Sequence, residues 1–333
     1  MLVTGGLGFI GSHFIKHILS DTSKEIKVTN VDRLSYGANE SNLRSIQTDP
    51  KYTFIKADIN DISTLKIDRP EIIVNFAAES HVDRSISDPR PFIWSNIKGA
   101  FELLEYGRKT DVSLFLQIST DEVYGDAEGD YSFKETDLLN PSSPYSASKA
   151  ASDLLVKSYR KTYGMNVLIT RCTNNYGPNQ FPEKLIPKII IRAMKGLPIF
   201  LYGGGSQIRD WIFVTDHVKA VCKIIENGNR GDIYNISSSK LLSNLEVVRM
   251  VSSLLKSKTG KEAKIMTSAD RPGHDKKYSL DATKLKTGLG WRPETCFEEG
   301  LAQTVMWYLE NEDWWDPLLT QSLLASEPWN VSW

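Results

Sequence analysis

The sequence predicts an α/β protein built on a doubly wound parallel sheet, with a smaller, mainly C-terminal second lobe. Three observations predict it. Apolar strand patterns alternate with amphipathic helical patterns, a glycine-rich turn follows the first strand, and prolines punctuate the chain after about Asn174. Strands that alternate with helices pair in parallel through right-handed crossovers. With 333 residues, 41% of them hydrophobic, the chain is long enough to bury one large core or two smaller ones.

The individual elements follow from hydrophobic periodicity. Strand patterns occupy residues 1–4, 26–31, 52–56, 72–77, 114–119 and 167–171. Helical patterns occupy residues 9–19, 97–108 and 146–163. A further helix at 214–225 and a strand at 233–236 are expected to return to the main sheet. The main domain is therefore expected to comprise residues 1–174 with 210–238, the smaller lobe 175–209 and 239–317, and the tail 318–333.

Charge and cysteine content exclude several classes of function. The formal net charge is -1, so no overall field favours nucleic acid or an anionic membrane. The cysteines Cys172, Cys222 and Cys296 lie far apart and show no metal-ligand spacing, so neither a disulfide framework nor a metal site is expected. The N-terminus lacks the order of a signal peptide. We expect a soluble, cytoplasmic protein.

A glycine-rich turn between the first strand and the first helix predicts a dinucleotide site. Gly5, Gly8 and Gly11 follow GxxGxxG spacing, with Phe9 and Ile10 opening the helix. Small residues allow the tight turn and bring backbone N–H groups close to a pyrophosphate, and the helix N-terminus favours its negative charge. Alone, such a pattern is a weak signal.

Two carboxylates strengthen the dinucleotide prediction. Asp32 closes the second strand, where a carboxylate holds the adenosine ribose hydroxyls, which favours NAD over NADP. Arg33 keeps NADP open, because a cation there suits a 2′-phosphate. Asp58 follows the third strand and is placed to reach the adenine. Each carboxylate taken singly has an alternative interpretation as a helix cap or a solvated loop residue.

Catalytic chemistry is indicated by two groups of polar residues. Tyr145 and Lys149 lie one turn apart at the start of a predicted helix, where the ammonium is expected to lower the pKa of the phenol and make it a base. Thr120 ends the predicted strand at 114–119 and is expected beside that phenol. Asp121 and Glu122 follow directly, as an acid and a base or, in the simpler interpretation, as a solvated acidic pair.

These residues belong to longer stretches that resemble the extended short-chain dehydrogenases and, within them, the dTDP-glucose 4,6-dehydratases. The stretch Thr120-Asp121-Glu122-Val123-Tyr124-Gly125 is the most specific part of the resemblance. Supporting stretches, which extend the similarity from residue 1 to about 317, are 77–85, 174–178, 207–211 and 271–275. The resemblance implies a Rossmann sheet that binds NAD and a smaller lobe that binds a nucleotide sugar.

The resemblance also implies a mechanism. Tyr145 takes the proton of the C4 hydroxyl while hydride passes from C4 to NAD, and Lys149 and Thr120 support that step. Glu122 then removes the C5 proton and Asp121 protonates the C6 hydroxyl, which leaves as water. Hydride returns to C6 and a proton returns to C5, and the product is a 4-keto-6-deoxy sugar.

Ligand contacts are implied residue by residue. The expected cofactor contacts are Gly5, Gly8, Phe9, Ile10, Gly11, Asp32, Ser35, Asp58, Ile59, Ala77, Ala78, Ser80, Ser95, Tyr145, Lys149 and Asn175. The expected substrate contacts are His81, Thr120, Asn174, Lys184, Leu185, Tyr202, Arg209, Asn244, Arg271 and His274. The arginine forks suit a diphosphate. Arg209 has an alternative as a surface ion pair with Asp210, and His81 as a structural hydrogen-bonding residue.

Several alternatives stay open at this stage. A 4-epimerase or decarboxylase of the same fold keeps Tyr145 and Lys149 but does not need Asp121 and Glu122, and a non-catalytic NAD(H)-sensing protein needs none of them. The substrate base is expected to be dTDP, with UDP as the alternative. We expect a homodimer through the helices that start near Pro91 and Tyr145. The tail tryptophans, which include Trp329 and Trp333, are expected to pack on the body or at a subunit interface.

Overall fold

The computed structural model describes residues 1–23, 25–323 and 325–331. Its strands, in chain order, are β1 (Leu2–Thr4), β2 (Val28–Asp32), β3 (Tyr52–Lys56), β4 (Ile72–Asn75), β5 (Leu114–Thr120), β6 (Val167–Cys172), β7 (Asn174–Tyr176), β8 (Ile199–Tyr202), β9 (Ile208–Phe213), β10 (Ile233–Ile236), β11 (Leu241–Ser243) and β12 (Ile265–Ser268). Trp333 lies outside the described residues, so the expectation for it is left aside.

Helices alternate with the strands over most of the chain. The α-helices are α1 (Phe9–Ser20), α2 (Val82–Ser87), α3 (Arg90–Phe92), α4 (Gly99–Lys109), α5 (Pro144–Tyr163), α6 (Leu185–Met194), α7 (Val214–Asn227), α8 (Asn244–Thr259), α9 (Thr283–Gly288), α10 (Phe297–Glu310) and α11 (Glu312–Trp315). A π-helical segment, Ile93–Lys98, joins α3 to α4. Short 3₁₀ segments are Glu40–Ile46, Ile59–Thr64, Asp121–Tyr124, Gly203–Gly205, Asp316–Leu318 and Pro328–Asn330.

A seven-stranded parallel sheet forms the larger lobe, in the order β10-β6-β5-β4-β1-β2-β3. The chain starts at β1 near the middle, builds outward through β2 and β3, and then crosses to β4 on the other side of β1. This order is the doubly wound arrangement, in which ligands bind at the carboxyl edge where the strand order reverses. The predicted fold class is therefore confirmed.

Both faces of the large sheet are covered by helices. Val3 of β1 packs with Phe14 of α1 and Val221 of α7 on one face. Leu2, its neighbour in β1, packs with Leu103 of α4 on the opposite face, because successive side chains of a strand point to opposite sides. The strands are consequently apolar on both faces, as the sequence pattern predicted.

The smaller lobe has its own core and two short sheets. Strand β9 pairs with β7 and β11, and β8 pairs with β12. Helices α6, α8 and α10 bury aliphatic and aromatic side chains against them, including Ile190, Val248 and Leu301. Residues 208–213 belong to this small sheet, and the return to the large sheet begins with α7.

Three tryptophans near the C-terminus, Trp314, Trp315 and Trp329, pack on the body. Trp314 donates from its indole N–H to the Asn42 side chain at 3.0 Å, and Trp315 donates to the Tyr308 carbonyl at 2.8 Å. Trp329 is also buried. Within residues 1–23, 25–323 and 325–331, no helix has both the length and the apolar character needed to cross a membrane.

Candidate active site

One long cavity opens at the carboxyl ends of the large-sheet strands. The predicted catalytic residues line it, and so do the residues predicted to contact the cofactor. Four predicted substrate residues also line it, namely His81, Thr120, Asn174 and Lys184. The remaining six do not line it and come from the smaller lobe, namely Leu185, Tyr202, Arg209, Asn244, Arg271 and His274.

The glycine-rich turn leaves no room for side chains. Gly5 has a φ of +70°, and a Cβ placed on it would lie 2.5 Å from the Ala77 backbone nitrogen. A Cβ on Gly11 would lie 2.4 Å from the Gly5 carbonyl oxygen. Helix α1 begins directly after Gly8, whose lack of a side-chain cap leaves backbone N–H groups facing the cavity. The turn is therefore a cradle for an anionic group.

Asp32 is buried at the end of β2 and fixes this turn. Its carboxylate accepts hydrogen bonds from the backbone N–H groups of Leu7, at 3.0 Å, and Leu34, at 2.9 Å. Burial raises the pKa of Asp32, and the two backbone bonds oppose that rise. The carboxylate faces the cavity, as the dinucleotide prediction requires.

Arg33 is committed to two carboxylates. Its guanidinium donates to Asp58 at 3.0 Å and to Glu79 at 2.7 Å. The positive charge of Arg33, which had left NADP possible as the cofactor, is therefore neutralised by these two carboxylates. Asp58 also caps the short 3₁₀ segment by accepting from the Asn60 backbone at 2.9 Å, which is the simpler interpretation given for it from the sequence.

Helix α5 places Tyr145 and Lys149 in its first two turns. Ser143 and Ser146 cap the helix reciprocally, and Pro144 occupies its first position. The Lys149 ammonium donates to the Ile118 carbonyl of β5 at 2.6 Å. Burial lowers the pKa of Lys149 to about 8, and nearby Asp153 opposes that fall.

The pKa of Tyr145 differs from the sequence expectation. Burial raises it well above the usual phenol value, and the Glu122 carboxylate raises it further. A hydrogen bond with the Thr120 hydroxyl opposes the rise, so the threonine does lie beside the phenol. The lowering expected from Lys149 is therefore not seen, and burial is the largest cause of the shift.

Asp121 is held in a position suited to an acid. The hydroxyl of Thr120 donates to its Oδ1 at 3.1 Å, whereas its Oδ2 is buried and has no hydrogen-bond partner among the described residues. Burial raises the pKa of Asp121 well above the usual range, and the neighbouring Glu122 raises it further. A carboxyl group in this setting keeps its proton near neutral pH.

Glu122 lies in a different field although it is the next residue. The Glu122 backbone N–H donates to the Thr120 hydroxyl at 3.3 Å, which starts the 3₁₀ segment after β5. Burial raises the pKa of Glu122, and the cations Arg271, Arg209 and Lys184 oppose that rise. The charges around the two carboxyl groups therefore differ. Such a difference lets one carboxyl group act as the acid and the other as the base.

Arg209 is buried and held by carbonyl oxygens. It donates to the Ile208 carbonyl at 2.8 Å and the Asp275 carbonyl at 2.9 Å, and it stacks over the Tyr278 ring. The carboxylate of Asp210 bonds instead to serine hydroxyls and backbone N–H groups of residues 237–240. Arg209 therefore lies near Glu122 and is held by carbonyl oxygens. The alternative of a surface ion pair between Arg209 and Asp210 is not seen among the described contacts.

His81 and Arg271 share an acidic neighbour. Arg271 donates to Asp83 at 2.9 Å, and the His81 ring lies 3.6 Å from the same carboxylate and 3.2 Å from Glu183. Burial and four surrounding cations lower the pKa of His81 well below its usual value, so the ring is neutral. The histidine is held among acidic partners, which also suits the structural interpretation.

The other predicted substrate residues frame the smaller lobe. Lys184 precedes α6 and donates to the Ser80 carbonyl at 2.9 Å, and Leu185 begins that helix. Asn244 begins α8. His274 lies 2.6 Å from Asp270, and burial lowers its pKa to about 4. Tyr202 ends β8.

Comparison with known proteins fits this geometry. The model of the GDP-mannose 4,6 dehydratase family matches residues 2–304. The chain belongs to this family. A dTDP-glucose 4,6-dehydratase of Xanthomonas campestris pv. campestris (strain B100) is 46% identical to it over 94% of both chains. The corresponding protein of Escherichia coli (strain K12), dTDP-glucose 4,6-dehydratase 1, is 43% identical over 95% of this chain and 94% of its own. The resemblance seen in the sequence motifs is confirmed.

Solved structures of the dehydratase family and of epimerases share the fold. The dTDP-glucose 4,6-dehydratase DesIV of Streptomyces venezuelae, solved with NAD bound, superimposes with a TM-score of 0.91 and 42% identity over 96% of this chain and 99% of its own. A UDP-glucose 4-epimerase of Thermus thermophilus, solved with NAD, reaches a TM-score of 0.84 and 30% identity over 93% of this chain and 99% of its own.

This member of the dehydratase family has cavity residues that sequence reasoning missed. Tyr36 follows β2, lines the cavity, and lies under the Arg84 guanidinium at 3.9 Å. Glu79 joins Arg33 to Arg84, and Glu183 contacts His81. Glu79 lies within the stretch 77–85 that carried the resemblance, so that stretch held a signal for it. Tyr36 and Glu183 lie in loops whose neighbours are set only by the folded chain.

Proposed function

We propose that the protein is an NAD-dependent dTDP-glucose 4,6-dehydratase, a hydro-lyase that converts dTDP-glucose to dTDP-4-keto-6-deoxyglucose and water. The observation that carries the proposal is the pairing of Asp121 and Glu122 beside Tyr145. An oxidation site needs only the phenol and its lysine, whereas loss of water needs an additional acid and base. Curated relatives with that name, similar over almost the whole chain, support it.

The residues of the larger lobe fit NAD. The cradle of Gly5 and Gly11 accepts only a group that approaches backbone closely, and the Asp32 carboxylate faces the same cavity. The Ser95 hydroxyl is buried there without a partner among the described residues, so it is available to a ligand. When bound, NAD supplies the acceptor for the hydride that leaves C4 and the donor that returns it to C6.

Tyr145 acts on the C4 hydroxyl of the sugar. In its phenolate form Tyr145 accepts that proton as C4 is oxidised and becomes a neutral phenol, and the Thr120 hydroxyl beside it stabilises the phenolate before the transfer. Lys149 adds positive charge one helical turn away. Because burial raises the pKa of Tyr145 when the protein is alone, proton transfer depends on further positive charge that arrives with the ligands.

Asp121 and Glu122 then perform the elimination. The C4 ketone acidifies the C5 hydrogen, which Glu122 removes in its carboxylate form. Burial raises the pKa of Glu122, and the charges of Arg271, Arg209 and Lys184 oppose that rise. Asp121 is protonated at the start because burial raises its pKa, and it gives that proton to the departing C6 hydroxyl. The two carboxyl groups therefore work on neighbouring carbons in opposite protonation states.

We assign NAD to residues 1–174 with 214–238 and the nucleotide sugar to residues 175–213 and 239–317, which moves the expected boundary at 210 to the start of α7 because β9 pairs within the small sheet. Arg209 and Arg271 are the diphosphate ligands in this assignment, because both guanidinium groups lie near Glu122 and Arg271 keeps a buried donor without a partner among the described residues. The names of the relatives favour dTDP over UDP as the nucleotide. The product class serves deoxysugar synthesis of the rhamnose type.

We infer that two chains form a homodimer through α4 and α5. These helices pack against each other. Large apolar side chains stay exposed at Trp94, in the π-helical segment before α4, at Phe101 of α4 and at Leu154 of α5. Contiguous exposed apolar side chains are typical of a subunit interface. A cytoplasmic location suits the free thiols of Cys172, Cys222 and Cys296, which a reducing compartment keeps reduced.

The proposal is tested by incubating the purified protein with dTDP-glucose and, separately, with UDP-glucose, with no added reductant. Mass spectrometry is expected to show loss of one water from dTDP-glucose and slow or no reaction of UDP-glucose. Unchanged mass with inversion at C4 would identify an epimerase, and no change with either substrate would contradict an enzyme of this class.

A further inference from the structure

The C-terminal segment Glu327–Val331 packs against two elements of the substrate side of the molecule. Trp329 is buried, and its ring meets the Tyr202 ring edge to face, with centroids 4.8 Å apart and planes at 83°. The Ser87 hydroxyl, at the end of α2, donates to the Val331 carbonyl at 2.8 Å. This short segment thus bridges β8 and α2.

Strand β8 and helix α2 come together at the carboxylate of Asp83. Burial raises the pKa of the Tyr202 phenol, and the neighbouring carboxylate of Asp83, which lies in the first turn of α2, raises it further. Asp83 in turn accepts from Arg271 at 2.9 Å. A continuous series of contacts therefore runs from Trp329 through Tyr202 and Asp83 to Arg271, although these residues are far apart in the sequence.

Arg271 ends this series with an unused donor. Its Nη1 is held by Asp83, but its Nε is buried and has no hydrogen-bond partner among the described residues. A buried guanidinium N–H without a partner is costly unless a ligand accepts from it. Because Asp83 holds one end of the guanidinium group, Asp83 and the residues that position it set the direction in which the Nε–H points.

We propose that Trp329 is a positioning residue for the nucleotide-sugar site. It seats the Tyr202 ring, which holds Asp83 and thereby aims the free Arg271 donor at the substrate diphosphate. This rests on the proposed function. Trp329 does not line the cavity that contains Tyr145 and Glu122, so it acts on the substrate site through Tyr202 and Asp83 and makes no direct contact with the catalytic residues.

Trp329→Ala is expected to loosen Tyr202 and weaken diphosphate binding. The free energy of an edge-to-face aromatic contact corresponds to about a 2- to 12-fold change in an equilibrium constant. We therefore expect the Kd for dTDP, measured by calorimetry on the NAD-loaded protein, and the KM for dTDP-glucose to rise by about that factor. The bound NAD is expected to stay at the wild-type level, and kcat is expected to fall by less than KM rises.

Three further variants sharpen the test. Asn330→Ala is the matched control, because Asn330 is exposed in the same segment and its side chain bonds to Glu327 within that segment. Trp329→Phe restores an aromatic ring and is expected to recover most of the affinity for dTDP, and it also serves if Trp329→Ala folds poorly. In an Arg271→Ala background, Trp329→Ala is expected to add no further loss of dTDP affinity.

The outcomes separate this inference from the proposed function. Unchanged Kd and KM in Trp329→Ala would overturn the inference, as would equal losses of kcat, NAD and dTDP affinity, which indicate general destabilisation. A wild-type protein that binds dTDP in a Trp329-dependent way but leaves dTDP-glucose unchanged would overturn the proposed function alone. A wild-type protein that does not bind dTDP would overturn both.

Discussion

At the scale of single residues, the burial that keeps Asp121 protonated for catalysis also lowers the free energy of unfolding. Asp121 is buried with one carboxyl oxygen unpartnered among the described residues, and burial raises its pKa. Active sites commonly hold such groups because the same desolvation that destabilises the fold sets the catalytic protonation state. Asp121 should therefore affect stability and activity in opposite directions.

Replacing Asp121 with Asn is expected to abolish most activity and to raise thermal stability. Loss of a general acid lowers kcat by roughly 100- to 10,000-fold. The native protein holds a proton on Asp121 that the unfolded chain releases above the usual aspartate range, so the stability cost is absent near pH 4 and grows toward neutral pH. The Tm gain of Asp121→Asn, about 2 °C or more at neutral pH, should shrink on acidification.

Calorimetric melts of both proteins between acidic and neutral pH provide the measurement. Asp313→Asn is a suitable control, since Asp313 is exposed and outside the cavity, and its Tm should follow the wild type at every pH. A lower Tm for Asp121→Asn at neutral pH would show that the carboxylate is ionised and stabilising.

Separate roles for the two acids predict different isotope patterns. In heavy water, Glu122→Gln should show no incorporation of deuterium at C5, because the base that removes the C5 proton is gone. Asp121→Asn should retain that exchange in recovered substrate while losing water slowly. Mass spectrometry of the recovered sugar nucleotide distinguishes the two variants, and equal exchange in both would refute the assignment of Glu122 as base.

At the scale of secondary-structure elements, the sequence predicted what is local. Strand β3 has the predicted bounds, and the strand at 233–236 joins the large sheet beside β6 as expected. The segment predicted as one helix from 97 is preceded by α3 and a π-helical stretch at Ile93–Lys98. A change of hydrogen-bond register inside a helix depends on packing and leaves no mark in the apolar spacing.

The turn between β1 and α1 yields an element-scale prediction. Gly11→Ala would place a Cβ 2.4 Å from the Gly5 carbonyl, so the turn must shift and its backbone donors leave their positions. We expect the purified variant to contain much less NAD than the wild type while remaining folded. Gly288→Ala is the control, because nothing lies within 4 Å of its Cβ. Full NAD content in Gly11→Ala would contradict the cradle described for this turn.

At the scale of the whole molecule, the site lies between two lobes of separate origin in the chain. The larger lobe supplies the glycine turn and the catalytic residues, whereas Arg209 and Arg271 come from the smaller lobe. Sequence motifs predicted the residues that line the cavity on the sheet edge, because those residues follow strand ends. The ion pairs that Glu183, Asp83 and Glu79 form could not be predicted, since these contacts arise only when the chain has folded.

The inferred dimer gives a prediction for the assembled protein. The chain mass is 37.5 kDa, so sedimentation of the wild type should give about twice that value. Leu154→Glu places a charge on the exposed apolar face of α5, where 55% of Leu154 is accessible, and should yield monomers. Leu138→Glu, at an even more exposed loop position, should leave the dimer intact. A monomeric wild type would contradict the dimer.

In the proposed reaction, one hydrogen moves within the sugar from C4 to C6. The most direct measurement uses dTDP-glucose deuterated at C4, converted in ordinary water with no added cofactor or reductant, with the product analysed by NMR. We expect dTDP-4-keto-6-deoxyglucose that carries the deuterium on its C6 methyl group. Deuterium lost to solvent, or retained at C4 in an epimerised sugar, would contradict it.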